Sequence, residues 1–293
     1  MRVSVRGRDC VFLAIASTGR TATSYIAEAL NRVPGIAALH EGHLGNDAGP
    51  DVLPLVNLDN FQCFKDSERA RSVVAAKRSH EVIDSARREL GVGLLVDVAY
   101  YNSMILGEML EQMPDVHGAV IVRDCESFVR SATWFSGTDP MPVGWPDPNK
   151  ELDSRERFIA MGRIRPVAGD DAQQWPAWGA VERNIWLWHA TNVILCGVLS
   201  RFPGRVHFVD FENFVSKPAS VLEHLLATIG HPLDAAQKSV LAGALVEARS
   251  RQNERVGGYQ VGPSQTWSPD QRRLLGEAQR DIDGRLERVL GGR

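Results

Sequence analysis

The chain has 293 residues, 44% of them apolar and 24% charged, enough to bury a core as one large domain or two small ones and unlike a disordered or collagenous chain. Thirty-three basic against thirty-six acidic residues leave a net charge of -3, so no global field favours nucleic acid or an anionic membrane, and any anion site must be local. Cys10, Cys63, Cys125 and Cys196 lie far apart with no C-x-x-C pair, which argues against a zinc ribbon, a redox motif or a secreted disulfide scaffold and fits a reducing cytoplasm. The apolar run Val11 to Ala16 is far short of a membrane span, and no signal-peptide cleavage pattern follows it, so neither a span nor export is expected.

In chain order, four β-rich runs are each followed by helical periodicity: Val11 to Ser17, Leu94 to Val98, Ala119 to Arg123 and Val206 to Asp210. Strand then helix, repeated, predicts an α/β fold with a parallel sheet flanked by helices. Leu94-Leu95-Val96 is continuously apolar, as in strands buried on both faces. Leu106, Met109, Leu110 and Met113 make a helical stripe that ends at Pro114, and a helix is expected over Phe128 to Phe135. A long helix starts near Ala180 and closes on Leu195, Val198, Leu199 and Phe202; another, with Val221, Leu222, Leu225, Leu226 and Ile229, follows Pro218. With no internal repeat or low-complexity tract, a single domain over 1–293 is expected.

Two stretches break the alternation. Residues 42–58 are rich in Gly, Pro, Asp and Asn, and residues 136–178 are richer still in Pro, Gly and Trp. Six of the seven tryptophans lie between Trp134 and Trp188, more aromatic mass than a linker needs, so 136–178 reads as a lid or acceptor-binding insertion. A small helical subdomain with a Trp core is the plainer alternative.

Strand one ends in Ser17-Thr18-Gly19-Arg20-Thr21-Ala22-Thr23-Ser24, and a helix with Ile26, Ala29, Leu30 and Val33 on one face follows. Backbone N–H groups, hydroxyls and a cation converge at the positive end of a helix dipole, which is an anion site in form. The P-loop spelling G-x-x-x-x-G-K-[ST] is absent, for the second Gly and the Lys are missing. An N-cap by Thr21 or Thr23 and nothing more is the competing account.

Strand three ends in Val122-Arg123-Asp124, and Ser131 follows Arg123 by eight positions. With a helix starting near Glu126, Ser131 falls in the second turn, where an Arg fork and a hydroxyl can clasp a second phosphate. Both sites sit at carboxyl ends of strands of one sheet, where open α/β sheets bind ligands. Two separated phosphate sites suggest a bis-phosphorylated nucleotide.

On these residues the chain resembles the sulfotransferases that use 3′-phosphoadenosine 5′-phosphosulfate (PAPS), of the bacterial and Golgi-like type. Thr18, Gly19, Arg20, Thr21, Ala22, Thr23 and Ser24 resemble the family's 5′-phosphosulfate loop, with Ala22 in place of the usual Gly and Arg20 where many members carry Lys. Arg123 through Ser131 resembles its 3′-phosphate motif, and Val206 to Glu212 with Pro218 and the helix to Gly230 resembles its late strand and downstream helix. Arg255-Val256-Gly257-Gly258-Tyr259 is the match to its C-terminal glycine loop over the 3′-phosphate and adenosine, an ordinary Gly turn being the alternative. The resemblance implies a P-loop-like three-layer fold, PAPS as co-substrate, adenosine 3′,5′-bisphosphate (PAP) as product, no metal, and a hydroxyl on a small-molecule, glycan or lipid acceptor.

In-line sulfuryl transfer resembles phosphoryl transfer in asking the protein to position groups and to stabilise the departing phosphate oxygen, a role that falls to Arg20. A base must take the acceptor's proton. The strand-like run Gly35 to Leu39 ends in His40-Glu41-Gly42-His43. In tyrosylprotein and related sulfotransferases a Glu after this strand is the base, so the resemblance points to Glu41, with His40 and His43 as rivals. Zincins need H-E-x-x-H on a helix, and the shorter spacing here argues against metal. Asp97 to Asn102 is expected to face the site, with Tyr100 and Tyr101 along the acceptor, although packing on the sheet explains them as simply. Trp186, Trp188, His189 and Asn192 resemble a pattern of bacterial members, one face of their helix packing and one end reaching adenine. Two alternatives stay open: a P-loop-type small-molecule kinase with ATP and magnesium held by Asp97 or Asp124, and a non-catalytic nucleotide-binding module.

Overall fold

Seven residues, Val11–Ser17, form the central strand β1. The side chains of Phe12, Ala14 and Ala16 join one apolar layer, while Leu13 and Ile15 join the other, as the two-residue repeat of a strand dictates. A computed structural model of the chain describes residues 11–41, 43–44, 57–133, 144–146, 148–149, 151, 153–154, 162–255 and 267–292. In it β1 leads to helix α1 (Thr23–Leu30) and to β2 (Ile36–His40), which turns back into a two-residue β3 (His43–Leu44). Helices α2 (Asn57–Lys65), α3 (Ser67–Lys77) and α4 (His80–Leu90) precede β4 (Leu94–Val98). A 3-10 turn, Tyr100–Met104, and α5 (Leu106–Gln112) lead to β5 (Val116–Val122) and α6 (Cys125–Thr133). Then come α7 (Gly169–Gln174), α8 (Ala180–Arg201), β6 (Val206–Asp210), α9 (Phe211–Ser216), α10 (Pro218–Thr228), α11 (Ala235–Arg255) and α12 (Pro269–Gly291).

The sheet order is β3-β2-β4-β1-β5-β6. Five strands are parallel, and only β3 runs antiparallel, against β2. One face packs on α3 to α6, α8 and α12; the other packs on α1, α10 and α11. That is the expected α/β three-layer arrangement. The connection after β1 leads toward β2 on one side, and the connection after β5 leads toward β6 on the other. The carboxyl ends of these adjacent strands therefore frame a crevice of the kind where open sheets bind ligands.

Boundaries differ from the expected ones in two places. Strand three starts at Val116 rather than Ala119, because Val116 and Gly118 already pair with β1. The following helix opens at Cys125 rather than Phe128 and is described through Thr133, Trp134 and Phe135 lying outside the described residues. It opens right behind Asp124, whose carboxylate accepts the Ser127 amide at 2.8 Å. Within the tryptophan-rich stretch, the rings of Trp145, Trp178 and Trp186 lie edge-on to Trp175 at 5.2, 5.8 and 5.7 Å. Trp145 Nε1 donates to the Ile164 carbonyl at 2.9 Å and its ring joins the core; most of 136–161 lies outside the described residues. Among the described residues no helix is long and apolar enough to cross a membrane.

Candidate functional site

The loop after β1 is held from beneath by hydroxyls and from above by an arginine. Ser17 Oγ accepts from the Gly19 amide at 3.1 Å and from Thr21 Oγ1 at 2.6 Å. Ser103 Oγ donates to the Ser17 carbonyl at 2.7 Å, and Asn102 Nδ2 donates to the carbonyls of Ile15 and Asp97. Three loop residues turn left-handed: Gly19 (φ 80°), Arg20 (φ 56°) and Ala22 (φ 59°). For Arg20 and Ala22 that backbone costs about 1 kcal/mol or more each, a cost seen mainly where function needs the shape. Ala22 thus stands in the conformation that Gly adopts freely, at the position where the resembled family carries Gly.

Neither threonine caps α1. Its N-cap position is Ala22, and no side chain bonds there. Thr21 is turned to Ser17, and Thr23 Oγ1 lies 3.1 Å from His40 Nε2. The simple capping account of this loop is therefore set aside, and the positive end of the α1 dipole keeps no carboxylate in its first turn.

Arg20 and Ser131, expected on different phosphates, are joined: Arg20 Nε donates to Ser131 Oγ at 2.9 Å. Arg123, 7% exposed, donates from Nε to Ser127 Oγ at 2.7 Å and from Nη1 to the Arg20 carbonyl at 2.7 Å. Arg123 and Ser131, expected to clasp one phosphate together, are linked here through Arg20, with α6 starting at Cys125. Ser127 then stands one turn from the strand end, and Ser131 a turn further on meets Arg20. Below Arg123 lies the Phe211 ring, 4.8 Å from its guanidinium carbon, and Trp188 Nε1 holds the Arg123 carbonyl at 2.9 Å. Beside Phe211 opens a hollow of about 420 Å³ lined also by Glu212, Val215, Ser216 and Arg249. Burial, more than any other cause, raises the Glu212 carboxyl above its ordinary value.

Glu41 follows β2 with φ 54°, its amide donating to the Val98 carbonyl at 3.3 Å. Its carboxylate acts electrostatically on Tyr100 and Tyr101. His40 and His43 pair across the β2–β3 hairpin, so His40-Glu41-Gly42-His43 falls at a tight turn and not on a helix; the side chain of His43 lies outside the described atoms. Among the described residues, no group of three His, Cys, Asp or Glu is placed to hold a metal ion.

The two tyrosines part company. Tyr100 lines a small cavity with Ser17 and Thr18, and burial first, against the Arg163 guanidinium, pushes its phenol up to about 12. Tyr101 does not line it. At 1% exposure it packs behind the site, its hydroxyl 3.5 Å from Arg78 Nη2, and burial followed by the Asp97 charge sets its pKa well above 10.0. Asp97 does not face the site either. It is fully buried in an ion pair with Arg78, Nη2 to Oδ2 at 2.8 Å, so it is occupied as a charge partner rather than poised as a magnesium ligand. Asp124 is bonded to the start of α6.

Trp188 and Asn192 are fully buried, with Asn192 Nδ2 on the Trp188 carbonyl at 2.9 Å; Trp186 and His189 turn outward to Asp171 and Asp281. Arg255 ends α11, and Gly257 and Gly258 lie outside the described residues. Sequence patterns missed Ser127, Phe211, Arg78, Asn60 and Arg163. Only Ser127 left a signal, one helical turn after Arg123.

No protein-family model matches the chain, and no curated protein matches it. Solved structures do. A mouse sulfotransferase, SULT7A1, complexed with PAP aligns at TM-score 0.50 and 12% identity over 96% of this chain and 87% of that one. A sulfotransferase from Alicyclobacillus acidocaldarius aligns at 0.47 and 14% over 98% and 97%. The sulfotransferase domain of the curacin biosynthetic pathway aligns at 0.47 and 14% over 93% and 98%. The chain has a sulfotransferase-like fold, and at these identities the likeness is one of fold.

Proposed function

We propose that the chain transfers the sulfuryl group of PAPS to an acceptor hydroxyl. The observation that supports this most is the joining of two anion-binding elements at one crevice, through Arg20, Arg123 and Ser131. The β1 loop, with its left-handed backbone and uncapped helix start, suits a 5′-phosphate. Arg123 and the hollow beside Phe211 suit a second phosphate and the nucleoside. PAPS bound there supplies a sulfuryl group already activated for in-line displacement.

In this reading Arg20 neutralises charge that grows on the 5′-phosphate as its bond to sulfur breaks. Glu41 or His43 accepts the acceptor's hydroxyl proton as the new O–S bond forms. Tyr100, its phenol protonated at neutral pH, is a wall and a donor rather than a base. The 136–178 insertion, whose described part packs through its tryptophans, serves as the acceptor wall.

The test is binding by the whole chain. PAP should raise the melting temperature in a saturable manner, by roughly RT ln(1 + [L]/Kd) in stability, and ATP with magnesium should do so far less. Stabilisation by ATP with magnesium alone would replace the sulfotransferase reading with the kinase one.

A further inference from the structure

Arg163 is a buried cation that forms no ion pair among the described residues. It is 5% exposed, its guanidinium carbon lies 4.2 Å over the Tyr100 ring, and its Nε is buried without an acceptor. Among the described residues no carboxylate pairs with it. Asn60, 4% exposed, lines the same cavity, and its Oδ1 is likewise buried without a partner. The remaining wall includes Ser17 and Thr18 of the anion loop, Tyr100 and Thr191, with Met104, Ile164 and Leu187 as its apolar part. A ring face compensates a desolvated guanidinium only in part, whereas an unpaired buried charge is costly. Natural chains keep such a cost where a ligand removes it.

We infer that Arg163 and Asn60 form the recognition subsite for an anionic acceptor, one that bears a carboxylate or phosphate with a hydrogen-bond donor beside it. The inference rests on the sulfotransferase reading and adds the substrate class. Arg163 binds the oxyanion, Asn60 Oδ1 accepts from the neighbouring hydroxyl, and Thr18 ties the subsite to the loop where the sulfuryl group arrives. The cavity as it stands, about 10 Å³, holds about one water, so the oxyanion enters as Arg163 lifts from Tyr100. In the reaction, one acceptor hydroxyl loses its proton to the base and gains sulfur, PAP leaves, and the anionic group is unchanged.

The experiment is thermal shift of the full chain with saturating PAP and two matched pairs, glycolate against glycolamide and glycerol 3-phosphate against glycerol. The wild type should be stabilised by an anion and not by its neutral twin, the effective pair telling carboxylate from phosphate. Arg163→Met should abolish that preference, lowering affinity on the order of tenfold or more, and Arg163→Lys should restore part of it. Ligand-free Arg163→Met should melt no lower than wild type, since a functional buried charge is removed; a structural arginine would give the opposite. No anion preference in the wild type, or one that survives Arg163→Met, overturns the inference. Failure of PAP to stabilise any form, with the anion preference intact without it, overturns the sulfotransferase reading and leaves the oxyanion site standing.

Discussion

Nη1 of Arg123 lies 2.7 Å from the carbonyl oxygen of Arg20, so the end of β5 grips the loop after β1 by its main chain. Because the grip is on the main chain, replacing the Arg20 side chain, itself bonded to Ser131, leaves the loop fastened. Arg20→Ala should therefore keep the fold and lose on the order of 10² to 10³ in transfer rate, the usual effect of removing a group that stabilises developing charge. Single-turnover assays with PAPS and an acceptor check this, and activity within a few fold of wild type refutes the assignment.

Arg123 combines the grip with the stack on Phe211. Arg123→Ala should weaken PAP binding roughly 10- to 100-fold, the worth of a charge-assisted hydrogen bond, and adenosine 5′-phosphate much less. Calorimetry with both nucleotides decides. Equal losses would mean that Arg123 acts through the loop alone.

Glu41, held left-handed between the ends of β2 and β4, is the proposed base, with His43 its rival. Glu41→Gln should lower kcat by about 10² or more while leaving PAP affinity intact. Full turnover in Glu41→Gln together with a loss in His43→Asn would transfer the role to His43.

The Arg78–Asp97 pair is fully buried, and breaking one side leaves an uncompensated charge. Asp97→Asn should cost about 3–5 kcal/mol of stability in urea unfolding. The double replacement Arg78→Met with Asp97→Leu should recover most of it. A loss below about 1 kcal/mol in the single variant would contradict the burial.

His117 stacks on His207 at 5.9 Å, and burial first, then the Arg205 guanidinium, lowers its pKa from 6.5. The unfolded chain thus binds this proton more readily than the folded one. Stability should fall as pH drops from about 6.5 toward the lower folded value and be flat for this group above it. His117→Gln should flatten that decline in melting curves at stepped pH; an unchanged slope would assign it elsewhere.

Much of the fold was legible in short windows of sequence. The apolar runs of β1, β4 and β6, the stripe before Pro114 and the helix after Pro218 are local signals of period and turn chemistry, and they recur in the structure at nearly the expected bounds. The glycine and hydroxyl run after β1 likewise marked the loop at that strand's carboxyl end, and Arg123 marked the end of another strand. What needed the tertiary structure was partnership across distance. Arg20 with Ser131, Arg78 with Asp97 and Tyr100 with Arg163 are brought together only by the strand order, and a charged residue in isolation reads as a solvated one. Burial decides the rest: the same aromatic dipeptide, Tyr100-Tyr101, sends one ring to the cavity and one to the core, because the 3-10 turn after β4, and not residue type, sets which way each side chain points.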